Sequence, residues 1–137
     1  MSERNQTTMS FSSHFKLALV AHQDDLMRLP FHGDLTSNPD KGFMHDGAIT
    51  ILLDSVSGSV VRKTCMVGEN FSIATLDLRV DRLRPPIPNV DIYAKGDCYR
   101  VSQNIAFVRA WAYEQAIADP VATSVGTFML GSRKKSD

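Results

Sequence analysis

A chain of 137 residues with 43% hydrophobic side chains is the size of one ordinary domain and carries enough apolar material for a substantial core. Its 15 basic and 15 acidic side chains cancel, which excludes a general attraction to nucleic acid or to an anionic membrane, so any anion must be bound locally. No apolar run approaches the roughly 20 residues of a membrane-spanning helix, and the polar opening MSERNQTTMS lacks the apolar stretch of a signal peptide, which predicts a soluble, cytoplasmic protein.

The pattern divides into a disordered N-terminus at residues 1–10, a single domain over 11–132 and a basic tail at 133–137. FSSHFKLALVAHQ places Phe11, Phe15, Leu19 and His22 at helical spacing, which predicts a short N-terminal helix. DDLMRLPF then alternates Leu26, Arg28 and Phe31 around Pro30 and reads as a short or edge strand. HGDLTSNPDKG, residues 32–42, is the clearest loop. The stretch GFMHDGAITILLDSVSGSVV, Gly42 to Val61, reads as a long buried helix.

After the helix, SIATLDLRVD alternates, with Ala74, Leu76, Leu78 and Val80 on one face and Ile73, Thr75, Asp77, Arg79 and Asp81 on the other. RLRPPIPN ends that strand, because prolines 85, 86 and 88 cannot donate to a ladder, and forms a rigid connector. VDIYAKGDCYRV, NIAFVRAWAYEQ and VATSVGTFML are three further predicted strands. In the first, Val90, Ile92, Ala94 and Cys98 share one parity, and Gly96 marks a bulge or a close backbone approach.

The predicted architecture is α+β: one long helix followed by a four-strand antiparallel meander that curls around it. One sheet edge and an outer face carrying Tyr93, Trp111 and Tyr113 remain uncovered, a problem that self-association solves. Cys65 and Cys98 stand 33 positions apart without metal-ligand spacing and read as two reduced structural thiols.

Asp54 interrupts the helix directly after Ile51, Leu52 and Leu53. At 100° per residue, Ala48, Ile49, Leu52, Leu53, Val56 and Val60 cover a broad apolar arc, and Asp54 falls on a narrow stripe with Thr50, Ser57 and Gly58. The plain reading is an amphipathic helix showing one carboxylate to water. The functional reading is a half-buried, tunable carboxylate acting as general base or nucleophile, since an ordinary solvent face would carry several Lys, Glu or Arg. At the helix start, Asp46 is a plausible N-cap, Gly47 admits close approach of a ligand, and the helix N–H groups can polarise a carbonyl. His45 reads either as a loop histidine or as part of that site.

These residues resemble the hotdog-fold acyl-CoA thioesterases of the phenylacetate-degradation type. That family has a Gly-x-x-His-Gly-Gly approach to its central helix and a Leu-x-Asp within it, the catalytic acid nine residues after the histidine. Gly42, His45, Gly47, Leu52 and Asp54 fall in that register, TLDLRVDRLRPP is similar to the family's next strand, and the likeness spans roughly residues 26 to 130. The resemblance implies a curved antiparallel sheet around one helix, and a homodimer or dimer of dimers. The implied reaction is hydrolysis of an acyl-CoA or similar thioester in a cleft between subunits, with no metal or cofactor.

By the same resemblance, Asp54 is the base or nucleophile, Thr75 positions the water or the carboxylate, the Asp46 N–H supported by Gly47 polarises the carbonyl, and His45 orients the loop or the substrate. Two positions depart from the pattern: Asp46 replaces the first glycine of His-Gly-Gly, and Pro39 occupies the place of a carbonyl-binding asparagine, with Asn38 one residue earlier. They open an alternative, a non-catalytic module that binds acyl-CoA or another small ligand. Arg82 and Arg84, or Arg133, Lys134 and Lys135, are candidate partners for CoA phosphates, with the plain reading of solvated surface cations beside it. Phe31, Phe43 and Met44 are candidate acyl-pocket residues.

Overall fold

A computed structural model describes residues 19–38, 40–65 and 71–132. Strands β1 (Val20–Gln23) and β2 (Leu26–Leu29) form a hairpin through Asp24 and Asp25, with Val20 opposite Arg28 and Ala21 opposite Met27. The predicted N-terminal helix is therefore corrected where the chain is described: His22 lies in a strand, because cross-strand pairing with β2 outweighs helical spacing. Phe11 and Phe15, the predicted disordered residues 1–10, and the basic tail with Arg133, Lys134 and Lys135 lie outside the described residues. β2 is hydrogen-bonded on both sides, to β1 and β6, so it is short but not an edge. Pro30 follows its last residue, where it costs no ladder bond.

The predicted loop at 32–42 contains a single 3-10 turn (Gly33–Leu35), anchored by buried Leu35, and the strand β3 (Thr36–Asn38), which pairs with β4 (Phe43–Met44). Helix α1 (Asp46–Cys65) follows, 20 residues long and so about 30 Å from end to end. Ala48, Ile49, Leu52, Leu53, Val56, Val60 and Val61 are buried along it, which is the broad apolar arc expected from the sequence.

The main sheet is antiparallel and six-stranded, in the order β1-β2-β6-β7-β8-β5, where β5 is Phe71–Arg82, β6 Ile92–Ser102, β7 Ile105–Tyr113 and β8 Ala122–Ser132. The four-strand meander is thus corrected in two respects. Only β6, β7 and β8 run as a meander, since β5 pairs with β8 and the proline connector carries the chain to β6; the N-terminal hairpin adds two strands beyond β6. Prolines at 85, 86 and 88 explain the crossing, because a tight hairpin between β5 and β6 would need donors they lack.

Small side chains on the sheet make room for α1: Ala94, Ala110, Ala112 and Ala122 are buried with Ile92 against Ile49, Leu52, Leu53 and Val56. Gly96 is the close approach the sequence suggested, since a Cβ there would lie 3.3 Å from the Val56 carbonyl oxygen. A second cluster of Val60, Val61, Ala106, Val108 and Phe128 continues the core toward the end of the helix.

The uninterrupted alternation predicted for β5 is corrected by a bulge: the register with β8 slips between Thr75 and Asp77, leaving Leu76 as the extra, half-exposed residue. Ile73 packs on the second cluster and Val80 on the first, so odd positions face α1 before the bulge and even positions after it. Val90, read with the β6 parity, precedes that strand and is exposed.

On the far side of the sheet, Tyr93 stacks on Tyr113 at 6.0 Å, and Arg109 lies over the rings of Tyr99 and Trp111. Val125 and Met129 add exposed apolar surface there. Among the described residues, no helix is long and apolar enough to cross a membrane.

Candidate active site

The start of α1 is organised by His45. Its carbonyl oxygen accepts from the N–H groups of Ala48 at 3.0 Å and Ile49 at 3.3 Å, and its ring Nδ1 accepts from the Gly47 N–H at 2.8 Å. Its own N–H donates to the Leu35 carbonyl at 2.6 Å, which pins it to the preceding turn. His45 is therefore the N-cap, and Asp46, predicted to cap, is the first helical residue instead. The consequence falls on the backbone donors. Gly47, Ala48 and Ile49 spend their N–H groups on His45, whereas among the described residues the Asp46 N–H has no such partner at the positive end of the helix.

The Asp46 side chain turns outward, 67% exposed, and forms an ion pair with the guanidinium of Arg82. Arg82 reaches it because the bulge in β5 places position 82 on the helix side of the strand.

Asp54 sits two turns further along α1, half-buried, and Thr75 Oγ1 donates a hydrogen bond to its Oδ1 at 3.3 Å. Burial raises its carboxyl above the ordinary aspartate range, and the Thr75 hydroxyl offsets part of that effect. Thr75 is odd-numbered and Arg82 even-numbered, so an unbroken strand would turn one of them away; the bulge at Leu76 aims both at the helix.

The lead-in loop is held from the proline connector. Gly42 has φ +71, and a Cβ on it would stand 2.3 Å from Asn89 Oδ1, so only glycine fits; the Asn89 N–H donates to its carbonyl oxygen. Asn38 is exposed and spends its side-chain oxygen on the Asp40 N–H. Pro39 lies outside the described residues. Met44 is buried in the main core, with Phe31 packed against it, and Phe43 is half-buried.

Arg84 does not join this group. Its Nε donates to Asp119 Oδ1 at 3.2 Å, Nη1 to Pro85 O and Glu114 Oε2, and Nη2 to Glu114 Oε1 at 2.6 Å and Asp119 O at 2.7 Å. All five donors of the guanidinium are thereby engaged within the fold. Glu114, whose side chain is 1% exposed, also accepts from the Ile87 N–H at 2.8 Å and fixes the connector. Asn89, Glu114 and Asp119 carry no sequence signal for these roles, because their partners lie on other elements.

Chemically, the site offers a proton acceptor at Asp54 and a carbonyl-polarising donor at Asp46. Eight residues of helix separate them, about 12 Å of rise, too far for both to act on one carbonyl within a single chain. Among the described residues, no three His, Cys, Asp or Glu side chains converge on a metal site. A cleft of about 470 Å³ lies at the far end of α1, lined by Thr64, Cys65, Val101 and Leu130 among others, and contains none of these groups.

A protein of Halobacterium salinarum named as a candidate esterase is 30% identical over 104 residues, covering 73% of this chain and 68% of that protein. A solved structure from Pseudomonas aeruginosa is 33% identical, with a TM-score of 0.74 over 92% of this chain and 93% of its own. A Bacillus halodurans protein solved with CoA shares the fold at 17% identity, TM-score 0.74, over 94% of this chain and 80% of its own. A Ralstonia eutropha protein named as a candidate thioesterase related to phenylacetic acid degradation does so at 20% identity, TM-score 0.68, over 88% of this chain and 89% of its own. No family model matches the sequence. Sequence identity on this scale places the chain in one family with the Halobacterium salinarum candidate esterase, and the architecture it shares with the solved structures is the hotdog fold.

Proposed function

We propose that the protein hydrolyses an acyl-CoA thioester to free acid and thiol in a cleft formed by two copies of the chain. The observation that carries this reading is the half-buried Asp54 carboxylate, held by Thr75, on a helix whose first N–H has no partner among the described residues. Asp54 removes a proton from water, and the resulting hydroxide adds to the thioester carbonyl carbon. The Asp46 N–H of the other copy, supported by the helix dipole, receives the developing oxyanion. Collapse breaks the C–S bond, and the proton on Asp54 passes to the departing thiolate.

Two copies are required because of the roughly 12 Å between these groups along one helix. β5 supplies the means: it is a 12-residue edge strand with half-exposed Leu76, and pairing with its own copy about a centre near Leu78 and Arg79 sets Thr75 opposite the partner's Arg82. Asp54 of one chain then faces the helix start of the other. The CoA bound by the Bacillus halodurans neighbour supports CoA as the carrier, and the two unbridged cysteines suit a reducing, cytoplasmic setting. The exposed aromatic face is the surface for a dimer of dimers.

The test is thiol release from a panel of acyl- and aroyl-CoA thioesters by wild type and Asp54→Asn. Release by wild type, lost by about a hundredfold or more in the folded variant, supports the reading. Equal rates in the two proteins overturn the role of Asp54, and thermal stabilisation by acyl-CoA without product favours the binding module.

A further inference from the structure

Helix α1 carries two carboxylates on its polar side, Asp46 and Asp54, and both are met by side chains of one strand, β5. On the proposed hydrolysis, the two need opposite treatment. Asp54 must stay available as a base. Asp46 bears a negative charge on the very residue whose N–H would receive an oxyanion, and an unopposed carboxylate within several Å of that oxyanion raises the barrier.

We infer that Arg82 is a positioning residue: its ion pair draws the Asp46 carboxylate outward and cancels its charge, so that a helix start with aspartate in place of glycine still stabilises an oxyanion. The inference rests on the proposed hydrolysis. It accounts for three observations together. Asp46 is turned to the surface and paired, Arg82 keeps a side chain only 35% exposed against the helix start, and the Leu76 bulge supplies the change of parity that lets Thr75 and Arg82 share a face. One strand thereby holds the base with its first half and shields the oxyanion donor with its second.

The experiment is a double-mutant cycle in kcat, using an acyl thioester of N-acetylcysteamine, which has no phosphate, beside the CoA thioester. Arg82→Gln is expected to lower kcat at least tenfold, about 1.4 kcal/mol, with little change in KM, on both substrates. In an Asp46→Asn background the same substitution should cost less than threefold, because no carboxylate remains to be shielded. Arg82→Lys, which keeps the cation, should retain most of the rate and guards against loss of fold in Arg82→Gln. Equal losses with Asp46 and with Asn at that position overturn the inference. So does a rise in KM confined to the CoA thioester, which would mark Arg82 as a phosphate contact. Wild type that releases no thiol from any thioester defeats the hydrolase reading itself, an outcome distinct from either.

Discussion

Replacing Glu114 by glutamine tests whether Arg84 is a structural residue or a cation offered to a ligand. The carboxylate is almost fully buried and accepts from Arg84 Nη1, Arg84 Nη2 and the Ile87 N–H, so the amide would set an N–H₂ group against donors at one of these contacts. Breaking a buried ion pair from one side costs about 3–5 kcal/mol. Arg84 keeps its two Asp119 contacts and a side chain 26% exposed, which places Glu114→Gln near the bottom of that range, about 3 kcal/mol. For a domain of this length that is a fall of about 10 °C in Tm. Urea unfolding with a matched cycle through Arg84→Gln is the assay: each single variant should lose most of the coupling, and the double variant little more. A change below about 0.5 kcal/mol in Glu114→Gln would refute the reasoning. Unchanged stability in Arg84→Gln, with a higher KM for CoA thioesters alone, would return Arg84 to the phosphate role.

Three further outcomes follow from the same geometry. The folded-state pKa of Asp54 is raised, so its contribution to stability is complete below the ordinary aspartate value and is lost as pH rises through the folded value. Asp54→Asn should therefore melt higher than wild type at neutral pH, with the gain vanishing below about pH 4. Thr75→Val removes the hydrogen bond that holds this pKa down, so the acid limb of kcat/KM should move to higher pH, read from a pH–rate profile. Leu76→Lys places a charge on the proposed pairing edge and should shift sedimentation toward the monomer while lowering turnover in proportion; a fully active monomer would contradict a shared site.

The central helix is legible because a wide apolar arc over Ala48 to Val60 needs only a period, and Asp54 is legible as the one charge inside it. The three C-terminal strands are equally plain, since Ile92, Ala94, Ala110 and Ala112 alternate with the outward aromatics. What escapes the sequence depends on partners far along the chain. Val20 to Gln23 continue a helical spacing locally and become a strand only because Leu26 to Leu29 fold back on them. The placement of β5 beside β8, and the bulge at Leu76, are properties of pairing that no window of ten residues contains. At the site, His45 takes the cap predicted for Asp46 because its ring nitrogen reaches the Gly47 N–H, and Arg84 is absorbed by Glu114, thirty residues away in sequence. Register with a family motif nominates candidate residues; their hydrogen-bond partners decide which of them have groups left to offer a ligand.

Subunit complementation tests the shared site most directly. Asp46→Pro deletes the proposed oxyanion N–H at the first helical position, where proline is well tolerated, and Asp54→Asn deletes the base. Each variant alone should be nearly inactive. Co-expressed in equal amounts, they form mixed dimers with one intact site of two, and thiol release should recover to about a quarter of the wild-type rate. Recovery no greater than the sum of the separate variants would contradict a site built from Asp54 of one chain and the helix start of its partner.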